Sequence, residues 1–210
     1  MVWQRLQRAW HRHHLRDPAY AHLFDPPPPD EWVSIDCETT GLDRERDHIV
    51  SVGAVRVVGQ RVLTSQRLEL LVRPDAHRSP MNADAVRIHQ LRESDLAERG
   101  LPPEEVARQV LAFVGPRPLV GYYLEFDVAM LNRLVRPLLG IPLPQPQIEV
   151  SGLYYDLKYQ QNPDAHIDLR LASMMNDLGL PPRHAHNPVN DAIMAALAFI
   201  KLRRLLKVGR

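Results

Sequence analysis

Three consecutive β-type segments constrain the fold of this chain most strongly. They span residues 32–39, 49–58 and 61–72, and they are interrupted at Gly41 and at the pair Gly59-Gln60. A parallel connection needs a crossover of about a dozen residues or more, whereas short links join antiparallel neighbours. The pattern therefore predicts a three-strand antiparallel meander.

Downstream, helical and β-type patterns alternate. Helices are predicted at 79–90, 102–113, 125–139, 169–178 and 188–206, and short strands at 118–123 and 148–154. Ser79-Pro80 and Asn187-Pro188 each place a capping residue before a proline, which suits a helix start. The order βββ-α-α-β-α-β-α-α predicts an α/β fold with a mixed five-stranded sheet and flanking helices.

The first thirty residues differ from the rest. Four arginines, Arg5, Arg8, Arg12 and Arg16, recur at helical spacing, and Trp3, Leu6 and Trp10 recur on another face. This predicts a basic amphipathic arm that docks through its tryptophans, with nucleic-acid or membrane-surface contact as alternatives. Residues 26–29 are all proline and favour a stiff spacer. Residues 1–30 are thus predicted to be an arm with its spacer, and residues 31–210 the main domain.

Composition narrows the class of protein. The chain has 210 residues, 45% of them hydrophobic, and a formal net charge of +1, so no global field selects a polyanionic partner. Its one cysteine, Cys37, excludes an intramolecular disulfide framework. The sequence shows neither an apolar run long enough for a membrane span nor a secretory signal. We expect a cytoplasmic protein.

Two acids, Asp36 and Glu38, lie two positions apart in the first predicted strand. Residues at i and i+2 point to the same face of a strand, whereas Cys37 points to the other. Like charges on one face destabilise the strand unless a cation lies between them. For an isolated pair, a solvated edge is the alternative interpretation.

Three further side chains complete a candidate cluster. Asp127 and Asp191 are predicted in the first turns of two helices, and His186 immediately precedes the second of these. Each alone has an ordinary explanation, because acids stabilise helix N-termini and histidines are common on surfaces. Converging carboxylates, however, suit hard divalent cations, and a neutral histidine nearby can accept a proton. The chain has no zinc-type Cys/His spacing and no glycine-rich phosphate loop.

The motifs resemble those of a known family. Asp36-Cys37-Glu38-Thr39-Thr40-Gly41 resembles the first motif, D-x-E-T-T-G, of the DEDDh-type 3′–5′ exonucleases, the family of the proofreading epsilon subunits. Phe126-Asp127 resembles the second motif, and His186 followed after four residues by Asp191 has the spacing of the third. The resemblance covers residues 31–206.

The resemblance implies an RNase H-like fold and a two-metal-ion site for Mg²⁺ or Mn²⁺. It implies Asp36, Glu38, Asp127 and Asp191 as metal ligands and His186 as general base. It also implies that six residues contact the substrate: Thr39, Thr40, Gly41, His89, Tyr123 and Phe126. The sequence departs from the family where Tyr122-Tyr123 replaces the usual His-Asn, and an aromatic residue there favours either base stacking or strand packing.

The leading hypothesis is therefore a 3′–5′ exonuclease that releases nucleoside monophosphates, with single-stranded DNA ahead of RNA as substrate. The alternatives are a catalytically idle nucleic-acid-binding module and a metal-dependent phosphatase or oligoribonuclease acting on small substrates. The proofreading subunits carry a polymerase-binding tail, whereas this sequence ends soon after its last helix, so the N-terminal arm is the candidate contact for a protein partner. Basic residues near the C-terminus, Lys201, Arg203, Arg204, Lys207 and Arg210, either follow a phosphate backbone or form a solvated face.

Overall fold

The fold is built on one mixed five-stranded sheet. The computed structural model describes residues 2–74, 83–184 and 186–206, with the backbone alone at 2–5, 83 and 84. The strand order is β3-β2-β1-β4-β5. The strands are β1 (Glu31–Thr39), β2 (Ile49–Val58), β3 (Arg61–Leu71), β4 (Leu119–Gly121) and β5 (Gln147–Glu149). β1–β3 form the predicted antiparallel meander, and β4 and β5 add in parallel to β1. The predicted sheet is confirmed.

Eight α-helices and one 3₁₀ helix occur in the described residues. The α-helices are α1 (Val2–His13), α2 (Ala83–His89), α3 (Glu93–Arg99), α4 (Pro103–Val114), α5 (Leu124–Leu139), α6 (Val150–Gln161), α7 (Leu171–Asp177) and α8 (Pro188–Leu206), and the 3₁₀ helix spans Pro18–Phe24. Of these helices, none is both long and apolar enough to cross a membrane.

One local prediction needs correction, one helix was not predicted, and one predicted helix start is not covered by the structure. The strand predicted at 148–154 ends at Glu149, where the Glu149 carboxylate accepts the Ser151 N–H and starts α6 instead. Helix α3 was not predicted; its Asp95 carboxylate accepts the Arg92 N–H at 3.0 Å and stabilises a short helix start. The predicted helix start at Ser79-Pro80 falls outside the described residues.

Alternating strand positions form two different hydrophobic layers. Val33 and Ile35 on β1 pack in the core that contains α4 and α5. Val55 and Val57 on β2 pack against Val189 and the following turns of α8. Since faces alternate along a strand, Asp36 and Glu38 lie on the α8 side. Cys37 packs against the other core, as the strand pattern predicts.

The N-terminal arm docks through a different face from the one predicted. Arg8 donates hydrogen bonds to the carbonyls of Pro144 and Asp25, and its guanidinium lies 5.3 Å from the Phe24 ring centroid. His11 is buried, whereas Trp10 is 55% exposed and stacks on His14. Docking through Trp10 is therefore wrong, and the side chain of Trp3 falls outside the described residues. The aliphatic part of an arginine side chain can pack on the protein while its guanidinium donates hydrogen bonds to backbone carbonyls. This explains why α1 docks through the face that carries Arg8.

Gly53 allows α8 to approach the sheet beside Asp36. It pairs with Asp36 across the β1–β2 ladder. A Cβ atom added at Gly53 would lie 2.2 Å from the Pro188 carbonyl carbon and 2.3 Å from the Val189 nitrogen. These are backbone atoms, so they cannot rotate away. The absence of a side chain at Gly53 thus brings the first turn of α8 directly over the sheet.

We expect Gly53→Ala to lower the free energy of unfolding by about 1–3 kcal/mol, because the new methyl group forces α8 away from β2. Urea denaturation measures the change. Gly152→Ala is the matched control, since its added Cβ would meet only Glu149 Cγ at 4.0 Å and alanine favours a helix. Equal stability of the two variants would contradict the close-approach argument.

Candidate active site

Three carboxylates converge at the carboxyl end of β1. One oxygen each from Asp36, Glu38 and Asp191 lies within 4.8 Å of the others. β1 and β4 run parallel, and helices follow β4 and β5 at this same edge. Ligands of open α/β sheets bind at such an edge, outside the carboxyl ends of the strands. The sequence prediction that Asp36 and Glu38 share one face of β1 is confirmed.

The start of α8 positions Asp191. The Asn190 N–H donates to the Asn187 side chain at 3.0 Å, and the helix begins at Pro188, as predicted. The chain reaches this start through His186, whose φ is +65°. The His186 N–H donates to Asp191 Oδ2 at 2.9 Å, so the backbone of the predicted base orients the fourth acid.

Asp127 joins the cluster from α5. It is 4% exposed, and its Oδ1 accepts the Cys37 backbone N–H at 3.0 Å. That bond fixes the carboxylate against the strand segment between Asp36 and Glu38. The structure thus brings all four predicted acids together. Asp36, Glu38 and Asp191 lie close to one another, and Asp127 is joined to them by its hydrogen bond to β1.

Burial and mutual repulsion perturb these acids strongly. Burial raises the pKa of Asp127 to about 8. Burial, followed by the charge of Asp191, raises the pKa of Glu38 to about 7. The pKa of Asp36 is well above its usual value because of burial first, then the neighbouring carboxylates. Burial also raises the pKa of Asp191, while the hydrogen bond from His186 opposes the rise.

The donor set fits a hard divalent cation. Carboxylate oxygens are the preferred ligands of Mg²⁺ and Mn²⁺, and this cluster offers oxygens without thiolate or imidazole among the three mutually close groups. Burial first, and then the charges of the neighbouring carboxylates, raise the pKa values of these acids, so a bound cation would stabilise their ionised forms. The residues present therefore fit a metal site.

His89 faces the same region as His186. It is buried at the end of α2, and the charge of His186 lowers its pKa after the larger effect of burial. The His89 Nδ1 accepts the Leu91 N–H at 3.1 Å, which leaves the proton on Nε2. In the described part of the chain, this buried Nε2 has no hydrogen-bond partner. A buried donor without a partner is available to a ligand.

The hydroxyls of the predicted Thr39-Thr40-Gly41 segment stabilise its own turn. Thr39 Oγ1 donates to the Gly41 carbonyl at 2.6 Å, and Thr40 Oγ1 donates to Asp47 Oδ1 at 2.8 Å. A Cβ at Gly41 would lie 2.5 Å from Asp47 Oδ2. Asp47 therefore organises this loop, a role that no spacing in the sequence indicated.

The two predicted aromatic contacts differ in exposure. Tyr123 precedes α5 with φ +55° and is 62% exposed, beside a cavity of about 280 Å³. Phe126 is partly buried, and the Arg44 guanidinium lies 5.8 Å from its ring centroid. Tyr122 packs against the hydrophobic cluster formed by α6, α7 and α8. The packing alternative is therefore correct for Tyr122, whereas Tyr123 is exposed to solvent.

A family model described as "RNase_T: Exonuclease" matches residues 33–199. The chain belongs to this exonuclease family. The resemblance to DEDDh-type nucleases is thereby confirmed, while residues 1–32 precede the matched segment. The division into an arm at 1–30 and a domain at 31–210 stays a prediction.

Curated relatives include polymerase-associated proteins. The chain is 26% identical over 176 residues to a "DNA polymerase III PolC-type" of Thermotoga maritima, covering 84% of this chain but 12% of the relative. It is 33% identical over 173 residues to a "DNA polymerase III subunit epsilon" of Rickettsia felis, covering 81% and 72%. The chain thus spans a small part of the PolC-type relatives and most of this epsilon subunit.

Solved structures agree on the fold. An exonuclease I from Methylocaldum szegediense aligns with a TM-score of 0.69 at 18% identity, over 83% of this chain and 40% of that one. E. coli exonuclease I in complex with a dA16 oligonucleotide aligns at 0.68 and 16% identity, over 85% and 42%. The predicted RNase H-like fold is confirmed.

The raised pKa values predict that the metal-free protein loses stability as pH rises. In the unfolded chain, Glu38 and Asp127 ionise near 4.5 and 3.8, whereas in the fold they ionise near 7 and 8. Between these limits the folded state binds more protons, so the free energy of unfolding falls from about pH 4 to about pH 8. Melting temperatures in EDTA at about pH 5.5 and about pH 8 measure the effect.

Asp127→Asn is the control for this pH dependence, because it removes one titrating group and keeps the shape. We expect its melting temperature to vary less with pH than that of the wild type. A wild-type melting temperature in EDTA that is flat or rises across this window would contradict the assigned shifts.

Proposed function

We propose that this chain is a metal-dependent 3′–5′ exonuclease that hydrolyses single-stranded nucleic acid, DNA preferentially, to nucleoside monophosphates. The convergence of Asp36, Glu38 and Asp191 within 4.8 Å is the observation that carries the proposal. The buried Asp127 on α5, which accepts the Cys37 N–H of β1, and His186, whose N–H binds Asp191, support it. Membership of the exonuclease family supports the reaction class.

The four acids hold the cations in this proposal, with two Mg²⁺ or Mn²⁺ ions as the expected number. Bound divalent cations supply Lewis-acid activation of water and neutralise charge at the scissile phosphate. The raised pKa values of Glu38 and Asp127 favour this role, since cation binding replaces protons that the packed carboxylates otherwise retain.

His186 acts as general base. It lies exposed before α8, and its backbone N–H is bound to Asp191, so its ring is free to reach water at the edge of the cluster. The imidazole accepts the proton of the attacking water as the new P–O bond forms. The bond between phosphorus and the 3′ oxygen of the preceding nucleotide breaks, and that oxygen leaves to take up a proton.

Six side chains or backbone segments contact the terminal nucleotide in the proposal. His89 offers an unpartnered Nε2 donor, and the exposed Tyr123 offers a stacking surface. Phe126 contributes an apolar edge beside Arg44. Because the hydroxyls of Thr39 and Thr40 hold the loop, we assign the contact of Thr39, Thr40 and Gly41 chiefly to their backbone.

Single-stranded DNA is favoured by the structural likeness to an exonuclease I bound to a dA16 oligonucleotide. A protein partner is proposed for the N-terminal arm, since relatives include a polymerase subunit. The C-terminal basic residues support phosphate contact less well, because Arg203 donates to Asp30 Oδ1 and lies over the Trp32 ring. Lys207 and Arg210 fall outside the described residues.

Asp127→Ala and Asp127→Asn are expected to reduce kcat by at least about 100-fold, because losing a proposed metal ligand should cost more than losing a supporting partner of one. The asparagine variant keeps an acceptor for the Cys37 N–H, so its circular dichroism and melting curve should match a folded protein. Activity within about twofold of wild type in a folded variant would sink the assignment of Asp127.

The deciding assay follows a 5′-labelled single-stranded DNA and its RNA counterpart with Mg²⁺, Mn²⁺ or EDTA. We expect a ladder that shortens from the 3′ end, disappears in EDTA and weakens by at least about 100-fold in His186→Ala, within the range of general-base contributions. His184→Ala is the matched control, because His184 is also exposed and lies two residues before His186. Intact oligonucleotides alongside hydrolysis of a small phosphoester would instead favour the phosphatase alternative.

A further inference from the structure

The end of β5 lies beside the turn that starts α5. Glu149, the last residue of β5, pairs with Gly121, the last residue of β4. Two residues after Gly121, the chain turns at Tyr123 and enters α5. A Cβ at Gly121 would lie 2.8 Å from Leu124 Cδ1, so this turn is tightly packed. The sheet register therefore places the Glu149 side chain against the start of α5.

The Glu149 carboxylate binds the N-termini of two helices at once. Its Oε2 accepts the Leu124 N–H at 2.8 Å, and its Oε1 accepts the Tyr123 N–H at 3.2 Å. Oε1 also accepts the Ser151 N–H at 3.0 Å and the Ser151 hydroxyl at 2.7 Å. Four donors from α5 and α6 thus converge on one side chain.

Helix α5 has no cap of its own. Tyr123 occupies the N-cap position with φ +55° and makes no side-chain capping bond. The first N–H groups of a helix need an external acceptor, and their aligned dipoles favour a negative charge. Glu149 meets both requirements from a neighbouring strand. The Ser151 contacts alone would be enough to cap α6, so the bonds to Tyr123 and Leu124 serve α5.

The residue that depends on this cap is Asp127, one turn after Leu124. Its carboxylate must reach Cys37 N–H at the same edge as the other acids. We propose that Glu149 is a positioning residue of the active site, which fixes the first turn of α5 and thereby the Asp127 carboxylate. This inference rests on the proposed function of the site.

Glu149→Gln tests the proposal with little change in size. The amide retains one acceptor oxygen, while its NH₂ group faces N–H donors, so either α5 or α6 loses its acceptor. We expect the dissociation constant for Mn²⁺, measured by isothermal titration calorimetry, to rise about 10-fold or more, as for lost partners of metal ligands. We expect kcat on single-stranded DNA to fall by a similar factor, with KM within about twofold.

A second readout follows the backbone directly. The amide protons of Tyr123 and Leu124 should exchange faster with solvent in Glu149→Gln than in the wild type, as followed by NMR. Glu149→Asp keeps both carboxylate oxygens on a shorter side chain, so its Mn²⁺ affinity should lie between those of the wild type and Glu149→Gln. Asp17→Asn is the matched control, because Asp17 caps the 3₁₀ helix through the Ala19 N–H, and we expect it to leave Mn²⁺ binding and kcat unchanged.

Wild-type Mn²⁺ affinity and kcat in Glu149→Gln would overturn the proposal. Unchanged protection of the Leu124 amide would do so as well. If the wild type itself neither binds Mn²⁺ nor hydrolyses DNA, the proposed function fails instead, and amide exchange alone then decides whether Glu149 holds α5. An equal loss in Asp17→Asn would show general destabilisation and would also reject the specific role.

Discussion

The burial of four neighbouring carboxylates, together with their mutual repulsion, is the constraint on which this structure depends. Asp36, Glu38 and Asp191 offer oxygens within 4.8 Å of one another, and Asp127 lies behind them against the backbone of Cys37. Four acids packed in this way oppose folding unless protons or cations compensate them. Burial raises the pKa of Glu38 to about 7 and that of Asp127 to about 8, so the fold favours protons or cations at these groups. Stability elsewhere in the fold must offset this cost.

The offsetting interactions hold α8 and α5, the two helices that carry Asp191 and Asp127, against the sheet. Gly53 lets α8 lie directly on β2, Asn187 caps that helix, and the His186 N–H orients Asp191. Glu149 stabilises the start of α5 from the next strand. Each contact uses backbone atoms, which rotate less than side chains. The carboxylates are therefore held by backbone geometry more than by their own packing.

Strand and helix patterns predicted most of the architecture, because alternation and capping are local properties. The meander, the start of α8 at Pro188 and the shared face of Asp36 and Glu38 all follow from neighbours in sequence. The end of β5 was predicted wrongly because the Glu149 carboxylate accepts N–H groups both from the nearby Ser151 and from the distant Leu124. The docking of α1 was predicted wrongly because the distant carbonyls of Pro144 and Asp25 accept hydrogen bonds from Arg8.

The sequence by itself indicated which acids and which histidine form the candidate site, because three motifs resemble those of the exonuclease family. Only the tertiary structure decided how closely they lie, how far their pKa values move, and which residues support them. Asp47, Gly53 and Glu149 have no diagnostic spacing. Their roles arise from contacts between segments far apart in the chain, and such contacts exist only once the sheet has fixed its register.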